Sequence, residues 1–382
     1  ADSGGGVRAM GQKIFREQEL KEVLSEIQKE RDVHQVLLVC GESFRRQKLY
    51  ETLYSTLKEL GIILTEFSDF SPNPKYESVI AGIEAYRQHH CDMIVAAGGG
   101  SAMDVAKCIK LFAFMDLSQN CLTQEIVAND IPLLAIPTTA GTGSEATRFA
   151  VIYYQGNKQS VNHTSCIPEY VLMDPGLLIT LPMYQRKATM LDALCHAVES
   201  FWSVNATEES QKYAAEAIRL VLKEEQAYLA NTPEGNEEML LAANLAGKAI
   251  NLTQTTAGHA MAYKLTTLYG MAHGHAVALC VEKLWPYMVH HTEDCMDKRG
   301  TAYLNEMFRK LADVMDCDSP EAAAEAYGRF FRELSLERPT LQHPGELDVL
   351  AGSVNPVRLK NNPVRLDAET LRALYEEILK EK

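Results

Sequence analysis

The chain lacks the marks of a nucleic-acid binder, a membrane protein and a disulfide scaffold. Lys and Arg number 37 against 51 Asp and Glu, a net charge of −14 over 382 residues. Phosphate recognition wants clustered cations, so a nucleic-acid partner is excluded. No uncharged apolar run reaches the ~18 residues a transmembrane helix needs, and no charged-then-apolar leader is present, so a soluble cytoplasmic protein with no membrane partner is expected. The nine cysteines are odd in number and form no C-x-x-C pair, which fits reduced thiols better than a disulfide framework or a thiolate zinc site. No fixed-period repeat or low-complexity stretch interrupts the text. The opening "ADSGGGVRAM" reads as a flexible leader outside the fold.

What is present is a globular composition, 46% apolar and 23% charged, in a length that predicts two domains. The first half alternates short apolar runs with helical text. "VHQVLLVCG" (33–41), "IILTEFSDF" (62–70), "CDMIVAAGGG" (91–100) and "IPLLAIPTT" (131–139) read as buried strands. "SFRRQKLYETLYSTLKELG", "KYESVIAGIEAYRQHH" and "SAMDVAKCIKLFAF" read as the helices between them. Continuous apolar strands separated by helices are what a parallel sheet covered on both faces requires. From about Leu181 the strand signal disappears and helical periodicity takes over. The predicted fold is therefore an α/β domain over 11–182 followed by an all-helical domain over 183–382.

Two loops of the α/β half have the chemistry of ligand contacts. In "AAGGGSAMDVAK" (96–107) a buried strand runs into Gly98, Gly99, Gly100 and Ser101 and then a helix. Bare backbone and the free N–H groups of a first helical turn favour an anion, although a ligand-free strand-to-helix turn gives similar text. In "PTTAGTGSE", Thr138, Thr139, Thr142 and Ser144 bring hydroxyls and two glycines to the end of the next strand, where ligands of such sheets bind. A plain polar connection is the alternative.

The helical half carries donors at metal-ligand spacing. "MLDALCHAVES" sets Asp192 and His196 on one helix face. His259 and His273 stand in "AGHAMAYKLTTLYGMAHGHAVAL", a stretch with few acidic partners for a buried imidazole. One carboxylate and three imidazoles suit a divalent first-row metal with room for a further ligand, and Gly274 lets the backbone pass close by. Taken alone, the Asp192–His196 pair reads more readily as a surface or capping Asp with a packed His.

The motifs "GGGSAMDVAK", "PTTAGTGSE", "DPGLLITLP", "LDALCHAVE" and "HAMAYKLTTLYGMAHGHA" give the chain, from about Gly41 to its C-terminus, a resemblance to the iron-containing (group III) alcohol dehydrogenase family. The resemblance implies a dinucleotide-binding α/β domain, a helical domain, and one catalytic metal held between them by Asp192, His196, His259 and His273. It implies Fe²⁺ at that site, with Zn²⁺ equally compatible with the donors. It places the cofactor pyrophosphate on Gly98, Gly99, Gly100 and Ser101, and the rest of the cofactor against Gly41, Ser43, Asn73, Asp104, Thr138, Thr139, Thr142, Ser144, Lys158 and Leu178. The implied activity is hydride transfer between NAD(P) and a small primary alcohol or aldehyde, with the protein a homodimer as relatives commonly are. A dehydroquinate synthase-like lyase and a glycerol dehydrogenase-like polyol oxidoreductase are the rival readings.

The chain departs from the common family pattern at two positions. Tyr263 stands where many members carry a substrate-side His, and His275 is a replacement candidate for moving a proton, or else a packing residue. Gly41 stands where members that prefer NAD often carry an Asp on the ribose. Ser43, Arg45, Arg46 and Lys48 nearby favour a 2′-phosphate, hence NADP(H), although Glu42 could take the ribose instead. Arg148 and the tail residues Arg358, Lys360 and Arg365 raise the prospect of a small aldehyde bearing an anionic group, such as phosphonoacetaldehyde. Each is also readable as a surface or interdomain ion pair.

Overall fold

The computed structural model describes residues 11–380; the predicted leader lies outside them. The described chain forms two compact units. One comprises the residues up to Thr139 together with Ser144–Thr180; the other comprises Ala140–Gly143 and everything from Leu181 onward.

The first unit is built on a six-stranded parallel sheet. Its strands are β1 (Lys13–Phe15), β2 (Gln35–Cys40), β3 (Ile63–Phe67), β4 (Met93–Gly98), β5 (Leu133–Pro137) and β8 (Tyr170–Leu172), in the order β1-β8-β5-β4-β2-β3. A separate antiparallel hairpin, β6 (Phe149–Tyr154) with β7 (Asn157–Asn162), precedes β8. Helices α1 (Leu20–Arg31), α2 (Lys48–Glu59), α3 (Tyr76–Gln88) and α4 (Gly100–Phe112) connect the strands. Alternate residues of the central strands feed two cores. Leu37, Val39, Ile94 and Ala96 pack with α3 and α4, and Val36, Leu38, Val95 and Ala97 pack with α1 and α2. Burial on both faces is why these strands read as unbroken apolar runs.

From β2 the chain moves to β3 on one side and then returns to β4 on the other, with Cys40 beside Ala97. The connections reverse between β2 and β4, and the crevice beyond the carboxyl ends of such strands is where open α/β sheets bind ligands. Gly41 follows β2 there, and Gly98–Ser101 end β4. The Thr138 N–H donates to the Gly98 carbonyl at 3.2 Å, so the two predicted loops lie side by side.

The second unit is helical throughout: α5 (Met183–Trp202), α6 (Glu208–Leu229), α7 (Pro233–Thr253), α8 (Ala257–Tyr269), α9 (His273–Val289), α10 (Thr301–Val314), α11 (Pro320–Glu333), α12 (Gly345–Gly352) and α13 (Ala368–Ile378). A four-residue helical turn, Pro356–Leu359, precedes α13. Among the described residues no helix is long and apolar enough to cross a membrane. All nine cysteines are free, seven of them buried.

The glycines of "AGTGSE" are used differently from the ligand-facing role the sequence gives them. A Cβ on Gly141 would stand 2.7 Å from Thr189 Cβ on α5. One on Gly143, whose φ is +63°, would stand 2.7 Å from both Ala243 O and Gly247 Cα on α7. Those glycines let the loop lie flat on the helical unit, which explains why 140–143 belongs to it.

Candidate active site

The N-terminus of α4 has no side-chain cap and no acidic residue in its first turn. An ideal Cβ on Gly99 would have nothing within 4 Å. The first N–H groups of the helix therefore face open space at its positive end, a seat that fits a pyrophosphate. Behind it stands a polar anchor. Lys107, fully buried, donates to Ser144 Oγ and Thr147 Oγ1, each at 3.0 Å, and to the Phe149 carbonyl at 2.9 Å. Asp104 accepts from the Val151 N–H and the Ser144 hydroxyl, with Lys107 and Lys158 in electrostatic range. Burial pushes its carboxyl up to about 6 even against those contacts. Asp104 and Ser144 thus brace the cofactor-side loop from within.

The remaining first-unit candidates are spread around the sheet's carboxyl edge. Ser43 is exposed and Gly41 half-exposed at the end of β2. Asn73 is exposed with φ +58°, a left-handed conformation that Asn tolerates. Thr138 and Thr139 are half-buried, as is Thr142 of the second unit, while Lys158 is exposed on β7. Leu178 is fully buried at the end of the short helical turn Pro175–Leu178. Arg45 is already engaged, by Glu42 and Glu66 at 3.0 Å each and by the Ser68 hydroxyl at 2.9 Å. Arg46 and Lys48 are exposed.

In the second unit, Asp192 and His196 sit one turn apart on α5, His259 in the first turn of α8, and His273 at the start of α9. Three imidazole nitrogens converge on a single carboxylate oxygen. Asp192 Oδ1 lies 3.1 Å from His259 Nε2, 3.4 Å from His196 Nε2 and 3.5 Å from His273 Nε2. Two ligands each about 2.1 Å from a tetrahedral centre stand ~3.4 Å apart, so this spacing is that of a ligand set. Asp192, His196 and His259 are buried, and their ligand atoms lie within 4.8 Å of one another; His273 is exposed, with 53% of its side-chain surface open. The residues fit a divalent metal.

Electrostatics agree with that reading. Burial alone raises the Asp192 carboxyl, yet His196, His273 and His259 outweigh it and hold the group well below the usual carboxylate range. Burial takes His196 down to about 4. Burial also works against a charged His259, but Glu199 and Asp192 prevail and push it up to about 9.

Glu199, which sequence reasoning passed over, fixes His259. It is fully buried on α5, and its Oε1 accepts from Thr256 N and His259 N at 3.1 Å each and from Thr256 Oγ1 at 2.7 Å. Its Oε2 accepts from His259 Nδ1. Nδ1 thereby keeps its proton and Nε2 is turned toward Asp192, the arrangement by which a carboxylate orients a metal-binding imidazole. The signal was present as an acid one turn past His196 in otherwise apolar text. Glu199→Gln is expected to lower metal affinity about 10- to 100-fold in chelator competition; unchanged affinity would reduce Glu199 to a packing residue.

His275 is bound on both ring nitrogens. It accepts from the Tyr184 hydroxyl at Nδ1 (2.9 Å) and donates from Nε2 to the Glu337 carbonyl (2.7 Å). Tyr184 in turn accepts from the Ala272 N–H at 3.0 Å, bracing the segment just before His273. Tyr263 lies one turn beyond His259 on α8, with 39% of its surface exposed.

One unit carries an uncapped helix N-terminus after a glycine turn, and the other a cluster of carboxylate and imidazole groups that could hold a metal, the features of an oxidoreductase class. The comparisons give the family. Residues 11–175 match the model described as iron-containing alcohol dehydrogenase, and residues 187–379 match the Fe-containing alcohol dehydrogenase family, C-terminal. The chain belongs to the iron-containing alcohol dehydrogenase family. It is 32% identical to a phosphonoacetaldehyde reductase of Streptomyces viridochromogenes over 79% of this chain and 80% of that protein. It is also 32% identical to a 1,3-propanediol dehydrogenase of Citrobacter freundii, over 82% and 81% of the two chains. Among solved structures, sulfoacetaldehyde reductase from Bifidobacterium kashiwanohense in complex with NAD+ superposes with a TM-score of 0.81 at 27% identity, covering 96% of this chain and 97% of that one.

Proposed function

We propose that this chain is an NADP(H)-preferring aldehyde reductase that interconverts a small aldehyde bearing an anionic group and its primary alcohol. The observation that carries the metal-dependent part is the convergence of three imidazole nitrogens on Asp192 Oδ1. Asp192, His196, His259 and His273 would hold the metal. Three nitrogens and one oxygen suit Fe²⁺, the family's metal, and also Zn²⁺. When bound, such a metal supplies Lewis acidity toward a substrate oxygen, and a nicotinamide supplies or accepts the hydride.

The chain's own residues bind, orient and handle the proton. The first-turn N–H groups of α4 would take the pyrophosphate. Lys107 and Asp104 hold the adjoining loop in shape, and Glu199 fixes the tautomer of His259. Tyr263 and the Tyr184–His275 pair are the groups that would give or take a proton at a substrate oxygen, with His275 accepting at Nδ1 from Tyr184. The preference for NADP(H) is supported by Gly41 in place of a ribose-binding carboxylate and by exposed Ser43, Arg46 and Lys48 beside it. Glu42, the competing ribose partner, is drawn to Arg45 instead. The anionic substrate is supported by the similarity to reductases of phosphonoacetaldehyde and sulfoacetaldehyde.

Steady-state oxidation of NADPH and NADH over phosphonoacetaldehyde, sulfoacetaldehyde, succinic semialdehyde and propanal tests the reading. The expected result is a higher kcat/KM with NADPH and with the charged aldehydes. A strong preference for NADH would overturn the cofactor assignment, and a preference for propanal the substrate class.

A further inference from the structure

Four basic residues could meet a substrate anion, and the structure separates them. Arg148 belongs to the first unit, where its guanidinium lies over the Phe149 ring, 5.3 Å from the centroid. Arg365 faces Asp294 at 3.5 Å on the surface, and Lys360 is exposed. Arg358, on the helical turn Pro356–Leu359, is different. Its side chain is mostly buried, and among the described residues it makes no hydrogen bond or ion pair.

The turn that carries it is fastened to the metal-site helices. The Asn361 N–H donates to the Arg358 carbonyl at 3.2 Å. Asn361 Nδ2 donates to the Thr255 carbonyl at 3.1 Å, and the Asn361 carbonyl accepts from Val204 N at 3.0 Å. Asn205 Nδ2 donates to Asn361 Oδ1 at 3.1 Å. Thr255 immediately precedes Thr256, a donor to Glu199, and Val204 follows the end of α5. Glu199 is the acidic group whose charge reaches Arg358, but both Glu199 oxygens are already filled by Thr256 and His259. A guanidinium with five N–H donors thus stands on a turn hydrogen-bonded to Thr255, just before the helix that carries His259, with no protein acceptor among the described residues. Burying an unpaired cation is costly, and a planar fork of donors matches the oxygens of a carboxylate, phosphonate or sulfonate.

We propose that Arg358 is the specificity-determining residue that binds the anionic group of a short aldehyde whose carbonyl lies at the metal site. This rests on the anionic-substrate reading above and names the residue that enforces it. A neutral aldehyde would leave the guanidinium unpaired, so the same residue selects against it.

The test compares wild type, Arg358→Ala and Arg358→Lys at saturating NADPH, with phosphonoacetaldehyde, sulfoacetaldehyde and succinic semialdehyde against propanal. The ratio of kcat/KM for charged over neutral aldehyde is expected to fall about a hundredfold in Arg358→Ala, mostly through KM, and less in Arg358→Lys. Calorimetric binding of the product alcohols, 2-hydroxyethylphosphonate and 2-hydroxyethanesulfonate, should weaken in parallel. Thermal melts of each variant verify folding, and the Lys variant carries the comparison if the Ala variant does not fold. The three charged arms show which headgroup fits best. A ratio unchanged by either substitution, or a KM increase confined to NADPH, overturns the assignment of Arg358. Failure of the wild type to prefer any charged aldehyde overturns the underlying substrate reading instead.

Discussion

Asp192→Asn is expected to strip the metal and lower kcat/KM by about a thousandfold or more. The substitution keeps the shape of the side chain but removes the one negative charge at the centre of three imidazoles. The oxygen that lies 3.1–3.5 Å from His259, His196 and His273 then belongs to a neutral amide, a poor ligand for a divalent cation. Because the histidines outweigh the burial penalty on the Asp192 carboxylate, removing its charge also takes a buried partner from them, and the fold is expected to lose stability as well. The readouts are metal content by elemental analysis, the thermal melt and turnover. Loss of metal and activity with a lowered melt is the expected pattern, whereas full metal content would show that Asp192 is not a ligand.

Gly274→Ala is expected to be nearly as damaging through packing alone. A Cβ there would stand 1.8 Å from the Ala188 carbonyl oxygen and 3.0 Å from Asp192 Cβ. Neither can yield easily, since one is helix backbone and the other belongs to Asp192, the carboxylate on which the three imidazoles converge. The start of α9 must therefore move off α5 and take His273 with it. Overpacking of this kind costs about 3 kcal/mol or more, and displacement of one ligand weakens the metal further. A lowered melt together with weakened metal retention in chelator competition is the expected result. Wild-type behaviour in both would show that the α5–α9 approach is looser than drawn.

Much of this was legible in the sequence because the signals were strong and local. The central strands β2, β4 and β5 are buried on both faces, so their apolar runs stand out, and the three-glycine turn after β4 sits where the text puts it. Elements whose stability comes from distant partners were not legible. β1 and β8 are three residues each and pair with one another, Lys13 beside Tyr170, across more than 150 positions of sequence. The single helix read after Gly41 breaks near Arg46–Gln47, where no proline or glycine marks the interruption.

At the proposed metal site, Asp192, His196, His259 and His273 stand out in the sequence because Asp192 and His196 share a helix face and the family resemblance supplies the two later histidines. Two features depend on partners far away in sequence. Gly141 and Gly143 serve helix packing, which depends on Thr189, Ala243 and Gly247, far away in sequence. His275 differs from His273 only in what the fold places opposite it, Tyr184 and the Glu337 carbonyl rather than Asp192. Arg358 could be noticed as one of several cations, but only the structure shows that it alone of the tail's basic residues is drawn inward without a partner.

Asp192, His196, His259 and His273 are proposed to hold one catalytic divalent metal. The most direct test is elemental analysis of the purified wild-type chain, with NADPH-dependent aldehyde reduction followed through chelation and metal return. One equivalent of iron or another divalent first-row metal per chain is expected, with activity lost on its removal and regained on its return. Undiminished turnover by a chain shown to be metal-free would contradict it.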